Sequence, residues 1–412
     1  MRNNKNIFRA NRTIEFYIPN PNLIPRFNID YNIFDLISSF GAAFGGKSDL
    51  SKLEEIFGKR NFFFTASGRS ALYVILKSLN LPPKSKIGVP LFSCTSIFDA
   101  IIKAGHVPTF IDICLDNFTI NPDDLNKKTK NLSAIIVIHT FGRPADMDII
   151  KNIAKDIPVI EDCAHSLLSE YKGKLTGTIG DLSFFSFRSR KYISAGEGGM
   201  ILLNNSSYSE SFNREISNLK SYSMLNDIKH SLYTYATSFL YHKPWYGLFA
   251  FPIGSLIRNT SNKKIITNFQ LNSIRRSDRT VFLKKLESFK QNMELQRNNS
   301  NVLLERLSNT SLKLPFENEN TKCNYYLFPI LCKDKTERDD MCTYLQKAGI
   351  DSAKLWSLTP EFAMRFYNYK GDCPESEKCA NRILTIPNYY SLNDGNLYHI
   401  IYHVTKAAEE LT

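Results

Sequence analysis

Among the eight cysteines of the chain (Cys94, Cys114, Cys163, Cys323, Cys332, Cys342, Cys373 and Cys379) there is no Cys-x-x-Cys pair. That excludes the commonest metal-ligand spacing, and several of these thiols lie in apolar runs, where free cysteine packs as a small hydrophobe. An apolar h-region is also missing from the opening Met-Arg-Asn-Asn-Lys-Asn-Ile-Phe-Arg, so no secretory signal is expected and a reducing cytoplasm is the simplest compartment. Internal repeats and low-complexity linkers are absent as well, and the composition excludes a disordered tail, a collagen-like repeat and a coiled-coil rod. What is present is an ordinary globular composition, 43% hydrophobic and 22% charged over 412 residues. At about 150 residues per domain, that length leads one to expect two domains or three. The net charge of +12 is spread along the chain and predicts a solvated basic surface rather than a nucleic-acid site.

From about Asn61 to Asn204 the pattern alternates. Short apolar runs (61–65, 86–90, 109–113, 134–139, 159–162) are separated by turns and by helical stretches such as 97–104 and 146–153. Strand–helix–strand alternation with nearly continuous apolar strands predicts a parallel sheet covered on both faces. Residues 182–187 and 200–203 add two strands around Ala195-Gly196-Glu197-Gly198-Gly199. After Asn205 the character changes to an aromatic-rich insertion (206–265), a long polar helix (about 271–306), an apolar run (325–331) and two further helices (337–348, 394–410). The expectation is an α/β protein: a large domain over 1–265, then an interdomain helix and a small α+β domain over 266–412.

Three pieces of the first domain look like parts of one site. Ser67-Gly68-Arg69-Ser70 lies between a strand and a helix, where free N–H groups and the helix dipole favour a phosphate; such turns are also common caps. Asp162 closes the run Pro158-Val159-Ile160-Glu161, at the carboxyl end of a parallel strand, where open α/β sheets bind ligands. Lys191 follows Phe185-Ser186-Phe187-Arg188-Ser189-Arg190, whose cations would lower its pKa and raise its neutral fraction. A phosphate cradle, a strand-end carboxylate and a following lysine are what pyridoxal phosphate (PLP) demands.

In order and spacing, residues 61–205 resemble the DegT/DnrJ/StrS family of sugar aminotransferases, a branch of the fold-type-I PLP enzymes. The likeness runs through Ser67-Gly68-Arg69-Ser70-Ala71-Leu72, Val89-Pro90, Val107-Pro108-Thr109-Phe110-Ile111-Asp112, His139-Thr140-Phe141-Gly142-Arg143-Pro144, Glu161-Asp162-Cys163-Ala164-His165, Phe185-Ser186-Phe187, Lys191 and Gly196-Glu197-Gly198-Gly199. Later, Thr267-Asn268-Phe269-Gln270-Leu271 resembles a further family segment. The resemblance implies a mostly parallel central sheet flanked by helices, with a smaller C-terminal domain. It also implies roles. Lys191 would form the Schiff base and shuttle a proton, and Asp162 would pair with the pyridine nitrogen. His165 would stand near the ring hydroxyl. Ser186, with the backbone at Gly68 and Arg69, would hold the phosphate. Asn268 would reach the phosphate of a neighbouring subunit, making the active unit a homodimer. His139 and Cys163 are read as packing residues.

There are departures. Cys94 stands where the family often carries an aromatic that stacks on the cofactor, with Phe92 and Phe98 close by. Arg188-Ser189-Arg190 replaces the commoner aromatic-Pro-polar triplet, and Gln270 replaces a usual Arg.

The leading expectation is an aminotransferase that moves an amino group, from glutamate, to a keto group of a nucleotide-linked sugar for surface polysaccharide or a glycosylated metabolite. Two alternatives are a sugar dehydratase, whose branch carries His where Lys191 stands, and an idle scaffold for envelope assembly. The uncharged stretches 231–241 and 245–257 are too short to span a bilayer, and Pro244 interrupts a joined helix. The reading preferred for them is that they complete the dimer core or cover the active-site mouth. A sharper alternative lays them on a membrane surface, with Tyr233, Tyr235, Phe239, Tyr241, Trp245, Tyr246, Phe249 and Phe251 at headgroup level beside Lys229, His230, Lys243 and Arg258.

Overall fold

The computed structural model describes residues 19–45, 49–260 and 268–411, the side chains of 257–260 apart. Helices α1 (Ile33–Ala43) and α2 (Ser51–Phe57) come first. The apolar runs then form β1 (Asn61–Thr65), β2 (Lys86–Pro90), β3 (Val107–Ile111), β4 (Ala134–Ile138), β5 (Val159–Asp162), β6 (Glu170–Tyr171), β7 (Lys174–Leu175), β8 (Leu182–Ser186) and β9 (Gly199–Leu203). All but the two-residue β6 and β7 join one sheet in the order β1-β9-β8-β5-β4-β2-β3. Its pairings are parallel from β8 across to β3, and β9 alone runs against its neighbours. The expected mostly parallel sheet is what forms.

Between the strands lie α3 (Gly68–Ser78), α4 (Thr95–Lys103), α5 (Pro122–Lys128) and α6 (Met147–Ala154). Side-chain oxygens of Ser67, Asn121 and Asp146 cap α3, α5 and α6 respectively, which explains why each starts where it does. The sheet is covered on both faces, and β4 shows how. Ile136 and Ile138 pack with Leu72 and Ile75 of α3, whereas Ile135 and Val137 pack with Met147 and Ile150 of α6. A strand buried on both sides has no polar face to alternate, so it reads as a continuous apolar run.

Beyond the sheet come α7 (Ser209–Ser217), α8 (Met224–Leu240), α9 (Phe251–Thr260) and the 32-residue α10 (Arg276–Leu307). The sequence pattern had suggested that the long helix starts near Leu271. It starts five residues later because 272–273 is extended: Ser273 bridges Thr65 of β1, and Asn272 bridges Lys220. A second lobe follows, with β10 (Thr321–Lys322), β11 (Phe328–Leu331), α11 (Lys335–Lys347), α12 (Thr359–Phe366), α13 (Pro374–Arg382), β12 (Ile383–Ile386) and α14 (Asp394–Glu410). Its core gathers Leu303, Phe328, Ile330, Leu345, Leu384 and Val404. The N-terminal segment joins this lobe, since Ile24 bridges Ile350 and the Arg26 guanidinium pairs with Asp351.

The aromatic insertion divides. Tyr246 and Phe251 are buried against Leu23, and the Tyr246 hydroxyl donates to Asp351, so neither stands at an outer surface as the membrane reading required. Tyr235 and Tyr241 are half-buried, while Tyr233, Phe239, Trp245 and Phe249 remain exposed. The side chain of Arg258 and the whole of Thr267 lie outside the described residues. Among the described residues no helix is long and apolar enough to cross a membrane.

Candidate active site

The carboxyl ends of β5 and β8 lie side by side, with Asp162 opposite Phe184 and Ser186 two residues farther along. The first turn of α3 arrives at the same place. Ser67 accepts the Ser70 N–H at 3.2 Å, leaving the N–H groups of Gly68 and Arg69 at the helix mouth. A Cβ on Gly68 would lie 3.2 Å from Ser186 Cβ and 3.4 Å from its Oγ, so glycine keeps this cradle open. Gly199 serves the same junction: a Cβ there would come within 2.7 Å of the Ser67 carbonyl. The structure therefore brings Gly68, Arg69 and Ser186 together. The Arg69 side chain itself turns aside, its guanidinium 5.3 Å over the Phe269 ring.

Asp162 is buried and accepts the Ala164 N–H at 2.9 Å. Burial raises its pKa to about 6; the Ala164 N–H and the charges of Lys191 and His139 pull the other way. Lys191 is partly buried rather than exposed. Its pKa is lowered to about 8, and burial is the main cause. Asp162 and Cys94 oppose that shift and Arg188 adds only a small push, so the neighbouring arginines, the cause inferred from the sequence, are minor. Two hydroxyls hold the lysine loop in place: Tyr326 donates to the Arg190 carbonyl at 2.6 Å and Tyr192 to the Cys163 carbonyl at 2.8 Å. Arg190 itself sits at φ +82°, a left-handed conformation that non-glycine residues seldom adopt and that clusters at functional sites.

His165 joins the group. Burial, with a smaller effect of Lys191, drives its pKa well down, so the ring is neutral. The Phe141 N–H donates to its Nδ1 at 3.3 Å, which leaves the proton on Nε2. The second lobe supplies a wall that sequence reasoning missed. The Trp356 ring stacks on His165 at 5.5 Å and 7°, and the Tyr326 ring lies 4.8 Å from His165 and 5.3 Å from the Lys191 ammonium. Trp356, one of two tryptophans in the chain, was the available signal. Cys94 is exposed at the start of α4, with the Ser96 hydroxyl 3.0 Å from its sulfur. Phe92 is buried edge-on to Trp356 at 5.2 Å, and Phe98 is taken up by the core against Phe110 and Tyr367.

Asn268 makes no hydrogen bond to this group among the described residues. It is exposed, on a segment tied to α3 by the Ser70 hydroxyl donating to the Gln270 carbonyl at 2.8 Å. Gln270, in place of the usual Arg, accepts the Tyr222 hydroxyl at 2.6 Å. His139 and Cys163 are buried next to Glu161 with metal-like spacing. Yet Glu161 already accepts from His139 and from the N–H groups of Gly177, Ile179 and Gly180 at 2.6–2.9 Å, so it serves as an anchor for that loop.

These residues fit pyridoxal phosphate. The donor set has the right chemistry for each end of the cofactor: a helix mouth with a serine for the phosphate, and a partly buried amine of reduced pKa for the aldehyde. The carboxylate, destabilised by burial, would gain from a protonated ring nitrogen. Comparison with known proteins agrees. An uncharacterized protein of Methanocaldococcus jannaschii is 28% identical over 391 residues, 92% of this chain and 94% of that one. The GDP-perosamine synthase of Escherichia coli O157:H7 is 36% identical over 162 residues, 38% of this chain and 44% of that one. The structure of Spr1654 from Streptococcus pneumoniae in its PLP form superposes with a TM-score of 0.75 at 19% identity, covering 95% of this chain and all of that one, a likeness that shows the fold. The sequence profile of one family, described as the DegT/DnrJ/EryC1/StrS aminotransferase family, matches residues 51–405; the chain belongs to that family of PLP-dependent sugar aminotransferases.

Proposed function

We propose that this chain transfers an amino group from glutamate to a keto group of a nucleotide-linked sugar, giving an amino sugar and 2-oxoglutarate. The observation that carries this reading is Lys191, a partly buried amine with a pKa near 8 beside Asp162 and the Gly68–Ser186 cradle. Its presence, rather than a histidine, favours transamination over the dehydratase alternative. The similarity to GDP-perosamine synthase supports a nucleotide sugar as acceptor. When bound, PLP supplies an electron sink for charge developing at the donor Cα. The chain's residues then have distinct tasks. Lys191 Nζ takes and returns the Cα proton, and Asp162 keeps the proton on the ring nitrogen. Neutral His165 would stand near the ring hydroxyl. The N–H groups of Gly68 and Arg69, with Ser186 Oγ, hold the phosphate. Asn268 would reach the phosphate bound by a second copy, which would make the active unit a homodimer. The eight free cysteines suit a cytoplasmic setting, where the product would feed surface polysaccharide or a glycosylated metabolite. Incubating the PLP-loaded protein and glutamate with a panel of keto-sugar nucleotides tests it. Formation of 2-oxoglutarate with one of them is expected; none with any member overturns the acceptor class.

A further inference from the structure

α8 is amphipathic the wrong way round. Its inward stripe is Asp227, Ser231, Thr234 and Ser238, all buried. The outward side carries Leu232, Tyr233 and Phe239, with Tyr233 71% and Phe239 51% exposed. A helix at a protein surface normally turns its apolar stripe inward. Here hydrogen bonds hold the inward stripe instead: Ser238 Oγ donates to the Ile29 carbonyl and accepts the Tyr31 N–H, and Asp227 Oδ2 accepts the Arg276 N–H at 3.2 Å, while Asp227 Oδ1 is left without a partner.

The apolar surface does not stop at α8. Phe239, Trp245 and Phe249 follow one another at 5.7 and 5.9 Å between ring centres, all exposed. Ile253 and Leu256 of α9 are exposed as well, and on α1, which packs beside α8, Phe34 and Ile37 are 67% and 61% exposed. Single exposed apolar residues need no explanation, but a contiguous group marks an interaction surface.

Charge says what kind of partner it fits. From Ile228 to Ser277 the sequence has seven Lys and Arg and no Asp or Glu. Lys229 and Lys243 are exposed beside the aromatic run. Of the acids near these helices, Asp35, Asp227 and Asp278 are buried, Asp30 pairs with Lys285 at 3.0 Å, and the half-exposed Glu197 faces Arg275 at 3.7 Å. Aromatic and aliphatic side chains beside cations, with no exposed carboxylate on the segment, match the interface of an anionic bilayer.

We propose that the α1–α8–α9 face seats the enzyme on an anionic lipid surface, with Phe239, Trp245 and Phe249 entering the headgroup layer. The test is flotation of the PLP-loaded full chain with phosphatidylcholine vesicles carrying roughly one-third phosphatidylglycerol. Binding at low salt is expected, with release at high salt and none to pure phosphatidylcholine. Phe239→Ser with Phe249→Ser should lower the bound fraction about tenfold while sedimentation and turnover stay as in the parent. If that pair fails to fold, Lys229→Glu, which changes only exposed charge, should also lower binding several-fold. Protein that stays unbound with the anionic vesicles overturns the proposal. So does a serine pair that floats like the parent, or one that sediments as a smaller species, since the face would then join two copies of the chain.

Discussion

Lys191 owes its reactivity to where it is held. An ordinary lysine has a pKa near 10.5, and burial brings this one to about 8. Capture of added PLP by the apoprotein needs the neutral amine, so its rate should climb with pH and level off above about pH 8. An inflection near 10 in stopped-flow absorbance would contradict that placement. Lys191→Ala should abolish the absorbance of lysine-bound cofactor and lower turnover by about a hundred- to ten-thousandfold. Asp162 is the mirror case. Its folded pKa, about 6, lies above the ordinary aspartate value of 3.8. An acid whose folded pKa is raised holds its proton more tightly when folded, so folding pays no penalty below about pH 4. The penalty grows between about 4 and 6 and is complete above that. Apo Asp162→Asn should therefore gain stability over the parent at pH 7 and lose that gain at about pH 4, as urea denaturation would show. Loaded with PLP, the same variant should turn over roughly a hundredfold more slowly, because the ring nitrogen loses the group that keeps it protonated.

The start of α3 joins two tasks that substitution can separate. Ser67→Ala removes the cap and should cost about 1 kcal/mol of stability with little direct effect on the cradle. Gly68→Ala should do the reverse: it places a Cβ 3.2 Å from Ser186 and should weaken PLP affinity about tenfold while stability changes little. Equal losses of affinity in the two variants, measured by cofactor titration, would mean that the cradle is not formed there. Elements of this kind were legible in the sequence because their signals are local. β5 ends at Asp162 where the apolar run ends, and α14 starts after Asn393, which caps it. The site's second wall was not legible. Tyr326 and Trp356 lie more than a hundred residues from Lys191, and no local pattern says that the second lobe folds back over β5. The start of α10 was misread because 272–273 pairs with β1 and with Lys220, a tertiary pairing that overrides a helical pattern. α8 was harder still, since its polar side is the buried one.

At the scale of the whole molecule, one protomer gathers Lys191, Asp162, His165, Ser186 and the mouth of α3, yet leaves Asn268 exposed beside α3. A two-fold axis near that helix would place the Asn268 of each copy at the cradle of the other, because an isologous interface makes every such contact twice. Mixing two inactive or weakened variants tests this directly. In a dimer of one Lys191→Ala chain and one Asn268→Ala chain, one site loses both residues. The other takes its lysine from the second chain and its asparagine from the first, and is intact. If Asn268 acts across the interface, subunit exchange in an equal mixture makes about half the dimers hybrid, each with one working site, and turnover should rise to about a quarter of the parent's. If Asn268 serves its own chain, no hybrid contains an intact site and mixing restores nothing. Sedimentation at the assay concentration fixes the remaining condition: a protein fully active as a monomer would show that no second copy is needed at all.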